Sequence, residues 1–88
     1  MQVDDLGEDV VKRAQARLHR VQGQLRAIDR MLDEGAECQQ VLRQIAAAST
    51  ALRKLGVQVA VDGLQHCVRD PDSDADLEAF RRAFLELS

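Results

Sequence analysis

Residues 11–32 read VKRAQARLHRVQGQLRAIDRML, and this stretch determines the class of fold. Its apolar residues recur at alternating spacings of three and four, which is the period of one face of an α-helix. Gly35 follows this stretch, at the kind of position where a glycine commonly ends a helix. The pattern predicts a first helix over residues 9–34. The apolar residues of its stripe are Val11, Ala14, Leu18, Val21, Leu25, Ile28 and Leu32.

A second long helix is predicted over residues 37–68, because its apolar residues form two stripes and therefore bury more than one side. Gly56 and Gly63 lie inside it, where glycine lowers helix propensity. We interpret them as points of close helix approach or as a kink. The first stripe contains Val41, Ile45, Ala48, Leu52, Leu55 and Val59, and the second contains Val57, Val61, Leu64 and Val68.

A third, shorter helix is predicted over residues 74–87. Pro71 lies in the turn before it, and Ser73 with Asp76 resembles a capping box. The apolar face of this helix contains Leu77, Phe80, Phe84 and Leu87.

The fold class is therefore expected to be all-α, with a three-helix protomer. We expect one domain over residues 1–88, in which residues 1–8 are flexible. Only two of the 88 residues are aromatic, and so short a chain often needs a second copy to bury enough apolar surface. The stripes favour an antiparallel helical bundle that dimerises.

The charge of the chain is unevenly distributed. Its net charge of −3 argues against a uniformly basic nucleic-acid-binding protein. Residues 11–55 nevertheless contain nine basic and four acidic residues, which gives this segment a local charge of +5. Such a surface can bind an anionic partner, although an ordinary solvated helix face explains the charges equally well.

Several classes of protein are not expected. No apolar stretch approaches the roughly 20 residues of a membrane span, and the acidic residues 1–9 do not resemble a signal peptide. We therefore expect a cytoplasmic protein with no membrane partner, whose two cysteines are thiols rather than a structural disulfide. We do not expect an enzyme, because no nucleophile is spaced with a catalytic base.

Cys38 and Cys67 both lie on the predicted second helix, 29 residues apart. An unbroken helix separates them by roughly 43 Å and turns them to the same face within roughly 20°. Pairing with an antiparallel copy, about an axis near Leu52 and Arg53, brings Cys38 of one chain toward Cys67 of the other, twice. The alternative is that both cysteines are small buried hydrophobic residues. Small residues that allow close approach share this face, namely Ser49, Gly56 and Gly63.

Several segments resemble the copper-sensitive operon repressor (CsoR) family. Residues 17–28 read RLHRVQGQLRAI and contain an R-x-x-R-x-x-G-Q pattern similar to the opening signature of the family. The resemblance continues through Cys38, which precedes V-L-x-Q-I at residues 41–45, and through H-C-V at residues 66–68. It covers residues 11–68, which is most of the chain.

The resemblance implies an antiparallel dimer, usually a dimer of dimers, and a repressor that leaves operator DNA when its inducer binds. The DNA surface in the family is a basic patch on the first two helices. Arg17 matches a family arginine that is important for DNA binding, and Lys54 matches a basic position of the second helix. The neighbours that we assign to the same surface are Lys12, Arg13, Arg20, Gln24 and Arg53.

The resemblance also implies an inducer site at the two cysteines. Copper-sensing members carry a histidine four residues before the second cysteine, where this chain has Gly63. A bare pair of Cys38 and Cys67 resembles instead the persulfide-sensing branch, the CsoR-like sulfurtransferase repressors (CstR). Persulfide or polysulfide would then link the two thiols between subunits, without a metal or other cofactor.

Two alternatives remain open. One is a Cu(I)-responsive repressor with an altered site at Cys38, Cys67 and His66, although His66 directly precedes Cys67 and projects about 100° away. The other, of a different class, is a helical adaptor or sulfur carrier that does not bind DNA. Ligands typical of the nickel, cobalt and formaldehyde branches are not evident.

Overall fold

The computed structural model describes residues 1–70 and 74–87. Three α-helices follow one another, α1 (Glu8–Asp33), α2 (Cys38–Arg69) and α3 (Asp74–Leu85). A short 3₁₀-helix (Val3–Leu6), which we did not predict, precedes α1 and packs on α1 and α2. The described residues contain no strand, so the all-α prediction is confirmed, and the helix ends lie within two residues of those predicted. None of the described helices combines the length and the apolar character needed to cross a membrane.

The turn between α1 and α2 depends on Gly35. Its φ of +69° is left-handed, a conformation that costs other residues roughly 1–2 kcal/mol. The Ala36 N–H donates to the Met31 carbonyl at 2.9 Å, which is the long hydrogen bond of a Schellman motif. The chain therefore reverses over residues 34–37, and α2 packs antiparallel to α1. The predicted turn at Pro71 and the predicted capping box of Ser73 with Asp76 lie outside the described residues and side chains.

The segment of α3 packs on the second half of α2 at two glycines. A Cβ atom built on Gly63 would lie 2.5 Å from Phe80 Cζ, and one built on Gly56 would lie 2.7 Å from Leu87 Cδ1. The close approach predicted at these glycines is confirmed, but the neighbour is the chain's own C-terminal segment rather than the helix of a second copy. The helix α2 is continuous through both positions, and the alternative of a kink there stays a prediction.

The chain hides little of its apolar surface from water. Its buried hydrophobic residues are Val21, Ala48 and Cys67, and no described side chain is fully buried. Leu32 and Leu42, by contrast, are each 65% exposed. The radius of gyration is 16.4 Å, whereas a compact domain of this length has about 12 Å. Most of the apolar stripes therefore lie on the surface of an elongated chain.

Two glycine substitutions are expected to change stability in opposite directions. Gly35→Ala should lower the free energy of unfolding by roughly 1–2 kcal/mol, because alanine is strained at a left-handed φ. Gly23→Ala should raise it by about 0.5–1 kcal/mol, because alanine favours the helix interior and its Cβ would meet no atom within 4 Å. Urea unfolding at one matched protein concentration measures both changes. Equal changes in the free energy of unfolding for the two variants would contradict the left-handed turn at Gly35.

Candidate nucleic-acid interface and sensing cysteines

A groove runs between α1 and α2. Arg17, Arg20 and Gln24 line it from α1, and Thr50 and Lys54 line it from α2, around a volume of about 530 Å³. The three α1 residues follow helical spacing and the two α2 residues are one turn apart, so each set lies along one edge of its helix. Small side chains keep the space between them open, namely Ala46, Ala47 and Ala51.

Two further depressions extend this groove, and Arg17 lines all three. The first, of about 310 Å³, also has Arg13 and Arg20 in its wall. The second, of about 510 Å³, has Arg53 and Lys54. No salt bridge within the described part of the chain neutralises any of these cations, so their charge is available to an anionic partner. We call the surface formed by Arg13, Arg17, Arg20, Arg53 and Lys54 the basic groove.

The structure places Lys12 away from the basic groove. Its Nζ forms a salt bridge of 2.9 Å with Glu8 Oε1, one turn earlier on α1. Consecutive helical residues project about 100° apart, so Lys12 points away from Arg13 although it adjoins it in sequence. Of the seven residues assigned to the DNA surface, Lys12 is thus the one that the fold separates from the others.

Two residues that the sequence analysis did not select, Thr50 and Gln58, also line this surface. Both lie one helical turn from Lys54, and that spacing was the signal available in the sequence. Both side-chain amide atoms of Gln58 and Oε1 of Gln24 are shielded and have no hydrogen-bond partner among the described residues. Because leaving a shielded amide unsatisfied costs free energy, both side chains have capacity to bond a group that enters the groove.

The two cysteines lie at opposite ends of α2 and are both thiols. Cys38 is the exposed first residue of the helix, beside an apolar pocket of about 290 Å³ that includes Met31, Leu32 and Leu42. Cys67 lies in the last turn of α2 and is only 5% exposed. Because α2 is unbroken, the predicted separation of roughly 43 Å holds within one chain.

One face of α2 carries both thiols but is covered over only part of its length. Its residues lie within roughly 20° of the direction of Cys38. Cys38 and Ser49, in the first half, are exposed, whereas Gly63 and Cys67, in the second half, are buried. At Gly63 the covering element is α3, whose Phe80 ring lies where a Cβ atom would be. We call this surface, formed by Cys38, Ser49, Gly56, Gly63 and Cys67, the sensing face.

The possible third ligand of a copper site is not beside either thiol. His66 is half-buried and directly precedes Cys67, which turns its imidazole about 100° from the sensing face. Within the part of the chain that the structure describes, no three His, Cys, Asp or Glu side chains group closely enough to hold a metal ion. A thiol of one chain would therefore need donors from another chain to complete a metal site.

The comparison with protein families is decisive for the class of protein. A family model described as metal-sensitive transcriptional repressor matches residues 11–86. This chain belongs to that family. The match includes all of α2 and α3 and nearly all of α1, and hence both the basic groove and the sensing face of this metal-sensitive repressor family member.

Individual relatives are also repressors by name. The copper-sensing transcriptional repressor RicR of Mycobacterium tuberculosis is 46% identical over 52 residues, which are 59% of this chain and 54% of RicR. The copper-sensing transcriptional repressor CsoR of Bacillus subtilis is 34% identical over 62 residues, 70% of this chain and 61% of that protein. The transcriptional repressor RcnR of Citrobacter koseri is 39% identical over 71 residues, 76% of this chain and 79% of that protein.

The match thus spans little more than half the length of the first of these relatives. No solved structure gives a significant match to the chain.

The unequal exposure of the two thiols is testable. In the folded protein, Cys38 of a Cys67→Ser variant should react with the disulfide reagent DTNB about tenfold faster than Cys67 of a Cys38→Ser variant, because access controls thiol exchange. The two rates should converge in concentrated urea, where both side chains are solvated. Equal rates without urea would contradict the burial of Cys67.

Proposed function

We propose that this chain is an operator-binding repressor whose basic groove holds the phosphate backbone of DNA. The supporting observation is that Arg17 lies at the centre of three connected depressions lined by five cations. Guanidinium groups match the geometry of phosphate oxygens and bind them with two parallel hydrogen bonds. Since the whole chain is acidic, DNA would be attracted to this surface in preference to others.

The apolar surface of the helices supports assembly with a second copy in antiparallel orientation. Leu25 and Leu32 of α1 and Leu42 and Leu52 of α2 are each more than half exposed. Burying one such side chain stabilises a complex by about 1.5–3 kcal/mol. Covering all four would therefore strongly favour association of two chains. A two-fold axis near residues 52 and 53 would also bring Cys38 of each chain toward Cys67 of the other. A dimer of dimers would present several basic grooves to one operator.

Persulfide or polysulfide is the inducer that we assign to the thiol pair. The Cys38 thiolate attacks the outer sulfur of a persulfide RSSH, which forms a Cys38 persulfide and releases RSH. The Cys67 thiolate of the other subunit then attacks the Cys38 sulfur and displaces H₂S, leaving a disulfide between subunits. The persulfide is the oxidant, and its outer sulfur is reduced to H₂S. A second RSSH converts Cys67 to its persulfide, and closure then yields a trisulfide, two RSH and one H₂S.

The observation that favours a sulfur inducer over copper is that residue 63 is a glycine. Glycine provides no donor there, and Phe80 lies directly over its Cα. The bridge between subunits would constrain two long helices that also carry the basic groove, and would thereby lower affinity for DNA. Sulfur chemistry requires only the two thiols, which the sensing face supplies.

A Cu(I)-responsive repressor is the second candidate, because RicR and CsoR are named as copper-sensing. Thiolates suit Cu(I). However, neither Gly63 nor His66 directs a third ligand toward Cys67 on the sensing face. The donor set of this chain therefore fits the copper role less well than the sulfur role.

The DNA surface predicts a difference between two cations of α1. Arg17→Ala should reduce the dependence of log K on log salt by about one unit and weaken binding to duplex DNA of any sequence. Lys12→Ala should leave both quantities nearly unchanged, because its charge is paired with Glu8 outside the groove. Fluorescence anisotropy of a labelled duplex over a salt series measures both. No binding of DNA by the unchanged protein would favour the adaptor or sulfur-carrier alternative.

The inducer can be identified by comparing how three reagents change the affinity of the protein for one operator duplex. An operator duplex selected from random sequence by the protein would be challenged with sodium polysulfide, with the thiol oxidant diamide and with Cu(I). Polysulfide should lower its affinity about 5- to 150-fold, the usual range of coupling between sites, and Cys38→Ser should abolish this response.

Mass spectrometry should then find the Cys38 and Cys67 peptides joined as a disulfide or through one or more additional sulfur atoms. Release by stoichiometric Cu(I), with no response to polysulfide, would overturn the sulfur assignment in favour of copper.

A further inference from the structure

We infer that Gln58 and Asp62 position the Lys54 ammonium for a phosphate in the basic groove, an inference that rests on the proposed function. The three residues follow one another at intervals of four along α2, which places them on one edge of the helix with successive Cβ atoms about 5–6 Å apart. Lys54 and Gln58 line the same depression, and Asp62 is half-buried one turn further on. This edge therefore brings a cation, an amide and a carboxylate within reach of one another.

Three polar atoms on this edge are shielded from water and have no hydrogen-bond partner within the described part of the chain. They are Nε2 and Oε1 of Gln58 and Oδ2 of Asp62. Leaving such atoms unsatisfied is costly, and folded proteins pair nearly all of them. Their chemistry is complementary, because Nε2 of Gln58 donates and Oδ2 of Asp62 accepts, while Oε1 of Gln58 accepts and the Lys54 ammonium donates.

The shielding of the Gln58 amide indicates which groups can reach it. An atom that is hidden from water is also out of reach of a base edge or a phosphate oxygen, whereas side chains one turn away on the same helix need only change rotamer. Lys54 precedes Gln58 by one turn, and its charge has no partner among the described residues. Asp62 follows by one turn, the spacing at which glutamine and aspartate form hydrogen bonds on a helix. A relay from Asp62 through Gln58 to Lys54 therefore pairs all three shielded atoms without movement of the backbone.

A neutral amide beside Lys54 has a consequence that a carboxylate would not have. Lys12 is paired directly with Glu8, which offsets its charge toward an anionic partner. Gln58 accepts a hydrogen bond from Lys54 without offsetting its charge, and Asp62 fixes the amide from the other side. The flexible lysine side chain thereby loses rotational freedom before DNA arrives, and pre-ordering of this kind lowers the entropic cost of binding a phosphate.

The same spacing occurs on the other wall of the basic groove. Gln24 follows Arg20 by four residues on α1, and both residues line the groove between the two helices. Oε1 of Gln24 is also shielded and has no partner among the described residues. Each of the two helices thus carries a cation that is followed one turn later by an unsatisfied amide oxygen, which is the arrangement expected if the glutamines position the cations.

The sign of one substitution tests the role of Asp62. Removal of a carboxylate near a DNA-binding surface ordinarily strengthens binding, because its repulsion of phosphate is lost. If Asp62 holds Gln58, Asp62→Ala should instead weaken binding to a labelled duplex about fivefold. Asp62→Asn keeps an oxygen that accepts from Gln58 and should bind at least as tightly as the unchanged protein. Fluorescence anisotropy at one salt concentration measures both, and Asp29→Ala, which removes an exposed carboxylate from α1, is the control that should not weaken binding.

A double-mutant cycle tests the link between Gln58 and Lys54. Gln58→Met keeps the length of the side chain but removes both hydrogen-bonding atoms, and it should weaken binding to the duplex about tenfold. In a Lys54→Ala background the same change should alter the affinity less than about twofold, because the ammonium that it positions is absent. Gln22→Met makes the same change at an exposed position of α1 and should have no effect. Circular dichroism and urea unfolding verify that each variant keeps its helices.

The outcomes separate this inference from the proposed function. Equal or tighter binding by Asp62→Ala would overturn the relay, and so would a full effect of Gln58→Met in the Lys54→Ala background. A loss in Gln58→Met that is confined to duplexes with one particular base pair would also overturn it, because the amide would then read a base. In each of these cases the unchanged protein still binds DNA and the proposed function stands. If the unchanged protein binds no DNA, the proposed function fails and the relay fails with it.

Discussion

The two long helices of this protein carry more apolar surface than three helices of one chain can hide. Val21 and Ala48 are buried in the hairpin, yet leucines one or two turns away remain more than half exposed. Each such side chain moved from water into a core contributes about 1.5–3 kcal/mol. Covering these side chains with another apolar surface would therefore contribute a large part of the stability of the folded protein. The burial of this apolar surface decides which faces of the helices leave the thiols and the cations accessible.

Different faces of α2 carry the residues of the basic groove and those of the sensing face. Lys54 and Gly56 are two residues apart and hence project about 160° from each other, so Lys54 lies nearly opposite the sensing face. Arg53, three residues from Gly56, projects about 60° from it and lies at the edge of that face. A bond formed at the sensing face does not touch a phosphate in the groove. A reaction at the sensing face can therefore affect the basic groove only by moving α2 as a whole. A link between subunits would produce such a movement without altering the groove residues. Small shifts at packed helices are amplified because such interfaces have discrete arrangements.

Position 63 is a point of contact between α2 and α3. A glycine there offers no side-chain donor and at the same time admits the ring of Phe80, which lies where a Cβ atom would be. The family is described as metal-sensitive, and in this chain the position one turn before the second cysteine is a glycine covered by Phe80.

The extents of the helices, the glycine that ends α1 and the shared direction of Cys38 and Cys67 were determined by the sequence, because periodicity and the φ preference of glycine act over a few residues. The cationic edge of α1 at residues 13, 17 and 20 was evident for the same reason. The tertiary structure decided which neighbour each face meets. It placed Phe80 and Leu87 over the two glycines, added Thr50 and Gln58 to the groove and separated Lys12 from it. Periodicity specifies a direction from the helix axis, whereas packing between distant segments specifies what lies in that direction.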